Sequence, residues 1–148
     1  MNNIEISKMN VSDLESIKNI LLTDFDDFWN YNIFKSELEN PNSTYIKAKL
    51  DGAIIGFAGI WKSVDDVHIT NIVTKKDSRK NGIGSELLKN LIELAKNEEG
   101  ITSITLEVNS NNIAAQKLYE KYGFKNVGLR KKYYNSTYDA IIMTRELK

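Results

Sequence analysis

Val73-Thr74-Lys75-Lys76-Asp77-Ser78-Arg79-Lys80-Asn81-Gly82-Ile83-Gly84-Ser85 is the stretch on which the reading of the chain turns. Residues 67–74 leading into it are rich in β-branched side chains, the signature of a strand. Leu87, Leu88, Leu91, Ile92 and Ala95 follow it at helical spacing. The stretch is therefore the turn of a strand–turn–helix unit. Two glycines two positions apart let backbone N–H groups approach a ligand with no Cβ in the way. At a helix N-terminus, such N–H groups and the helix dipole make an anion site. Lys75, Lys76, Arg79 and Lys80 set four cations against one acid, Asp77. Neither a Gly-Lys-Ser/Thr phosphate loop nor Gly-x-Gly-x-x-Gly is present, since position 87 is Leu. The plainer alternative is a tight solvated turn edged with lysines.

Working outward, local signals define the remaining elements. Ile4-Glu5-Ile6 alternates as a first strand does, and Ser12-Asp13-Leu14-Glu15 has the capping-box pattern. That pattern predicts one helix carrying Leu14, Ile17 and Leu21 on a single face. A second short helix is expected over 31–39, stopped by Asn40-Pro41. Asp51-Gly52 between the apolar runs 45–50 and 53–61 predicts a hairpin with a type I′ turn. The helix after the glycine turn is expected to end with Gly100 as its C-cap. A strand is expected over 101–108. Asn111 or Asn112 then caps a helix with Ile113, Ala114, Leu118 and Tyr122, closed by Gly123. Strands over 125–129 and 139–147 complete the order β-α-α-β-β-β-α-β-α-β-β, an α/β fold with a mixed sheet and helices on both faces.

The totals exclude several function classes. At 148 residues the chain is read as a single domain, 1–148. Cysteine is absent, which removes disulfide scaffolds, thiolate metal sites and cysteine nucleophiles. Twenty basic and twenty acidic residues give zero net charge, against the basic excess of a nucleic-acid or membrane-surface binder. The zero is a sum of opposites: eleven acids and six bases in residues 1–66, nine acids and fourteen bases in 67–148. The halves carry −5 and +5, which fits a cationic and an anionic ligand. The N-terminus lacks the basic start and apolar run of a signal peptide, and the longest apolar run is too short to span a membrane. A cytoplasmic monomer or weak dimer is expected, with no membrane, nucleic-acid or metal partner.

Other residues invite chemistry beside plainer roles. Glu107 interrupts an apolar strand near its C-terminal end, where α/β folds place ligand sites, or it is an outward polar residue. Tyr119 shares a helical face with Ala115 and Tyr122, as a core residue also does. His68, the only histidine, is either a base or a packed strand residue. Phe28 and Trp29, beside Asp24, Asp26 and Asp27, form one wall of an acceptor groove or an aromatic anchor. Tyr133, Tyr134 and Tyr138 pose the same choice for the other wall. Lys125, Arg130, Lys131 and Lys132 read as a solvated basic face.

Arg79-Lys80-Asn81-Gly82-Ile83-Gly84 matches the Arg/Gln-x-x-Gly-x-Gly/Ala signature of the GNAT acetyltransferase superfamily, which the chain resembles over essentially its whole length. The resemblance implies a mixed, mostly antiparallel sheet and acetyl-CoA as acetyl-donor cosubstrate. Arg79, Lys80, Asn81, Gly82, Ile83, Gly84 and Ser85 would wrap its pyrophosphate. Ile72, Val73 and Thr74 would align the pantetheine arm, with the Val73 N–H polarising the thioester carbonyl. Leu106-Glu107-Val108, Asn112, Leu118-Tyr119-Glu120 and Gly123-Phe124 resemble the ribosomal-protein alanine N-acetyltransferases of that superfamily. So do Arg130-Lys131-Lys132-Tyr133-Tyr134 and the run from Tyr138 to Met143. That likeness implies Glu107 as general base, Tyr119 as general acid and Asn112 as a cofactor contact. The acceptor it implies is the N-terminal alanine of a ribosomal protein. Without cysteine, direct attack of the amine on the thioester is the expected route. A GNAT enzyme of another amine, and an idle acetyl-CoA- or RNA-binding module, are the alternatives.

Overall fold

Asp51 and Gly52 take φ of 52° and 85°, the pair of positive values that a type I′ turn requires. They join β2 (Ser43–Leu50) to β3 (Ala53–Ser63), as the sequence predicts. The structure is a computed structural model that describes residues 4–25, 31–78, 82–134 and 138–147, and within these all side chains except those of residues 22, 132–134 and 138. The other strands are β1 (Ile4–Lys8), β4 (Asp66–Thr74), β5 (Ser103–Asn109), β6 (Lys125–Tyr134) and β7 (Tyr138–Glu146). They hydrogen-bond in the order β1-β2-β3-β4-β5-β7-β6. Pairing is antiparallel for β1–β2, β2–β3, β5–β7 and β6–β7, and parallel for β4–β5. With α1 (Val11–Ser16), α2 (Leu21–Asp24), α3 (Tyr31–Glu39), α4 (Ile83–Lys96) and α5 (Ile113–Lys121), this is the expected mixed α/β fold. No helix among the described residues is long and apolar enough to cross a membrane.

The chain divides into two compact units, Met1–Trp61 with Thr70–Leu91, and Lys62–Ile69 with Ile92–Lys148. The core of the first unit is aromatic. Phe34 sits 5.3 Å from Tyr45 and 4.9 Å from Phe57 between ring centroids, and Phe25 lies 5.3 Å from Phe57. Met9, Leu14, Ile17 and Leu21 close over them. The Tyr45 hydroxyl meets the Thr70 hydroxyl at 2.9 Å, and burial pushes its phenol well above the ordinary tyrosine range. Gly59 is dictated by this ring, because a Cβ there would stand 2.4 Å from it.

Three local predictions are corrected. The first helix is not continuous: α1 stops at Ile17, and a 3-10 turn, Lys18–Ile20, leads into α2. The Ser16 hydroxyl donates to the Asp13 carbonyl at 2.6 Å, drawing it from the backbone ladder. Leu14, Ile17 and Leu21 are nonetheless all buried, so the periodicity predicted burial and not continuity. The capping box belongs to Asn10 and Asp13 rather than to Ser12 and Glu15, with Ser12 donating to the Asn10 side chain. Gly100, at φ 84°, lies four residues past the end of α4 and serves the following turn instead of the helix cap.

In the second unit β5 alternates strictly. Ile104, Leu106 and Val108 are buried, and Ser103, Thr105, Glu107 and Asn109 occupy the other face. Val67, Ile92, Ala95, Phe124, Ala140 and Met143 are buried in the same unit. Asp66 accepts from Ser103 and Thr105 and pairs with His68 at 3.2 Å, so the single histidine stands half-exposed in a polar network.

Candidate active site

In the first unit the candidate residues stand at the end of β4 and the start of α4. Gly56 on β3 brings these together: a Cβ there would lie 3.0 Å from the Val73 carbonyl oxygen, 3.1 Å from Ile83 and 3.3 Å from Leu87. Gly82 precedes α4 at φ 79°, a conformation that side chains rarely adopt, and accepts from the Glu86 N–H at 3.1 Å. A Cβ on Gly82 or Gly84 would meet nothing within 4 Å, so open space faces both glycines. Lys75 lies 3.9 Å from Asp24, so one cation of the turn has an acid beside it. Arg79, Lys80 and Asn81 lie outside the described residues, as do Phe28 and Trp29.

Strand geometry revises which N–H of β4 is available to a ligand. The Lys75 N–H donates to Ile55 of β3 at 2.7 Å. Along a strand, alternate residues direct N–H and C=O to the same side. Val73 therefore faces β3 as well, which agrees with its carbonyl lying beside Gly56. Ile72 and Thr74 direct their N–H groups the other way. They lie past the three residues of β4, Asp66, Val67 and His68, that pair with β5.

In the second unit Glu107 stands on the polar face of β5, with 23% of its side chain exposed. Its Oε2 meets Arg130 Nη2 at 2.8 Å. Sequence reasoning missed this partner and assigned Arg130 to a solvated basic face. The pair spans β7, because Glu107 stands opposite Ile142 on one side of that strand and Arg130 opposite Ala140 on the other. No local signal in the sequence encodes such a diagonal, which depends on two registers at once.

The turn from β5 into α5 is ordered by amides. Asn109 accepts from the Asn111 N–H at 2.8 Å, and the Gln116 amide donates to the carbonyls of Asn109 and Ser110. Of the two caps expected, Asn111 or Asn112, Asn112 is the N-cap, its side chain accepting from the Ala115 N–H at 3.1 Å. Tyr119 is half-buried on α5, its ring edge-on to Phe124 at 5.9 Å, and its carbonyl accepts from the Phe124 N–H at 3.0 Å. Tyr133, Tyr134 and Tyr138 occupy the facing ends of β6 and β7, with Tyr134 opposite Tyr138, and their side chains lie outside the described residues. Among the described residues no cluster of histidine and carboxylate side chains is suited to a metal ion.

Comparison with known proteins gives the family. Residues 14–124 match the acetyltransferase (GNAT) family. A Bacillus subtilis protein named "Putative [ribosomal protein bS18]-alanine N-acetyltransferase" is 36% identical over 140 residues, covering 93% of this chain and 92% of the relative. The Escherichia coli [ribosomal protein bS18]-alanine N-acetyltransferase is 36% identical over 121 residues, 78% of each chain. The crystal structure of the Escherichia coli ribosomal-protein-S18-alanine N-acetyltransferase superposes with a TM-score of 0.88 at 28% identity, covering 98% of this chain and 94% of that one. On the match over residues 14–124 and these full-length likenesses, the chain belongs to the GNAT family and is an acyltransferase.

Proposed function

We propose that this protein transfers the acetyl group of acetyl-CoA to the N-terminal amine of an acceptor protein, and that the acceptor is a ribosomal protein beginning with alanine. The observation that carries the reading is Glu107. It is the single carboxylate of β5, partly exposed and already oriented by a cation. The names of the Bacillus subtilis and Escherichia coli relatives support the acceptor class, and a Bacillus anthracis structure at 25% identity, solved with acetyl coenzyme A, supports the donor. Residues 1–148 act as one GNAT domain in the cytoplasm, as a monomer or weak dimer.

The chemistry follows from proton affinities. An α-amino group of pKa ~8 costs only ~1.4 kcal/mol to deprotonate at pH 7, whereas a lysine at ~10.4 costs ~4.6. Glu107 meets the smaller cost and takes the proton from the acceptor ammonium. The amine lone pair attacks the thioester carbonyl, whose developing oxyanion is held by a main-chain N–H of Ile72 or Thr74 rather than Val73. The glycine turn, with Arg79, Lys80, Asn81, Gly82, Ile83, Gly84 and Ser85, holds the pyrophosphate. Tyr119, with a phenol near pKa ~10 against ~8.5 for an alkyl thiol, protonates or hydrogen-bonds the leaving thiolate. Phe28, Trp29, Tyr133, Tyr134 and Tyr138 are the acceptor contacts of this proposal, and Asn112 its further cofactor contact.

The test is a panel of acceptor peptides varied at the first residues, incubated with acetyl-CoA and read by mass spectrometry. Acetyl on the α-amine of alanine-initiated peptides is the expected result. Acetyl on lysine side chains or small amines alone would move the function to another acceptor. Thermal stabilisation by CoA with no turnover on any acceptor would make the protein a binding module.

A further inference from the structure

Arg130 is a residue of the second unit to which the family likeness gives no task, and it sits on the proposed base. β6 is two strands from β5, and neighbouring strands lie ~4.8 Å apart, so Arg130 reaches Glu107 only by laying its side chain across β7. Ala140, opposite Arg130 and fully buried, is small enough to let the chain pass. Arg130 thereby gives up rotamer freedom that a solvated arginine keeps. With 56% of its side chain exposed, it forms a pair of the kind that adds little to stability. The consequence of the pair is therefore geometric.

We propose that Arg130 is a positioning residue for the acyl transfer: by holding Oε2 of Glu107 it fixes the carboxylate rotamer and leaves Oε1 as the oxygen that takes the proton from the acceptor ammonium. This rests on the reading of Glu107 as the general base. In the step, an N–H bond of the ammonium breaks and an O–H bond forms at Oε1; the pair left on nitrogen attacks the acetyl carbon, the C–S bond breaks to release the thiolate, and the second N–H proton reaches that thiolate by way of Tyr119. The guanidinium keeps its protons throughout, so it orients without competing as an acid. It does compete as a cation, because it occupies one edge of the carboxylate that the ammonium must approach. Removing it therefore lowers both kinetic constants for the acceptor, kcat because the carboxylate is no longer held and KM because the competing cation is gone.

The experiment is steady-state kinetics of Arg130→Ala, Arg130→Lys, Glu107→Gln and the double variant with acetyl-CoA and an alanine-initiated peptide. For Arg130→Ala the expected result is a kcat lowered by about tenfold with an acceptor KM lowered by about two- to threefold, the KM for acetyl-CoA staying as it was. Arg130→Lys recovers part of kcat, since an ammonium still anchors the carboxylate through one contact. Adding Arg130→Ala to Glu107→Gln changes kcat no further, because Arg130 acts only through Glu107. An unchanged kcat in Arg130→Ala, or losses that multiply in the double variant, would overturn the positioning role alone. A wild-type kcat in Glu107→Gln would instead remove the base assignment on which the proposal stands.

Discussion

The glycine turn of the first unit and the polar end of β5 in the second solve different chemical problems with different parts of the chain. On the proposed function, the useful groups around Gly82 and Gly84 are main-chain N–H donors, and the side chains matter by their absence: a Cβ at either glycine would point into open space. Along β5 the useful group is one side-chain oxygen, held by Arg130 at 2.8 Å. A site built from backbone tolerates side-chain exchange and fails when the main chain is crowded. A site built from a carboxylate fails on the change of one atom.

The largest expected effect tests that contrast directly. Glu107→Gln keeps shape and removes the basic oxygen, so kcat should fall by about 10²–10⁴-fold, the range of general acid–base catalysis. Acetyl-CoA affinity should stay within twofold. Tyr119→Phe should lower kcat by about tenfold on the same reasoning, with acetyl-CoA binding intact. Ile72→Val, which trims a side chain of the first unit and keeps its N–H, should leave kcat within about twofold. Kinetics on one acceptor peptide read all three. A collapse in Ile72→Val, or indifference in Glu107→Gln, would erase the distinction.

What was legible in the sequence divides along the same line. The Asp51-Gly52 turn, the helix starting after Gly82 and a cap at Asn111 or Asn112 are legible because each acts through its own backbone within a few residues. The break at Ile17 was missed because a serine hydroxyl, not the apolar spacing, ends α1. Expecting the Val73 N–H as oxyanion donor takes no account of which side of β4 faces β3, and the hydrogen bond from Lys75 to Ile55 is the long-range fact that bears on it. The Glu107–Arg130 pair was illegible because it needs the registers of β5, β7 and β6 together.

The two glycines of the turn separate backbone strain from ligand access. Gly82 has φ 79°, so Gly82→Ala should destabilise the protein by ~1–2 kcal/mol and lower Tm by several degrees. Its main chain would shift with it, raising the KM for acetyl-CoA by about tenfold, or ~1.4 kcal/mol. Gly84 lies in the first turn of α4 with ordinary helical geometry, so Gly84→Ala should stabilise the free protein by up to ~1 kcal/mol. Its KM for acetyl-CoA should rise by less than that of Gly82→Ala. Calorimetry and kinetics on both variants check this, and a destabilised Gly84→Ala would count against helical strain-free geometry there.

The smallest effect lies in the first unit at a residue given no part in the proposed chemistry, and so measures what the framework alone contributes. Asp13 accepts from the Asn10 N–H at 2.9 Å and from Lys47 at 2.8 Å. Burial would raise its pKa, but the Lys47 hydrogen bond and charge, with the Asn10 N–H, outweigh it and hold the carboxyl below its ordinary 3.8. A folded-state pKa below the unfolded one stabilises the fold at every pH above the unfolded value, and that stability drains away as pH falls through the folded value. The window is therefore acid, below about pH 4, and neutral pH lies wholly on its stable side. Asp13→Asn should flatten Tm against pH in that window. At pH 7 it should cost ~1 kcal/mol, typical of a weakened helix cap, while kcat per folded molecule stays at the wild-type value. An acid slope unchanged by Asp13→Asn would transfer that loss to other carboxylates. A changed kcat would tie α1 to catalysis, which neither the backbone site nor the carboxylate site requires.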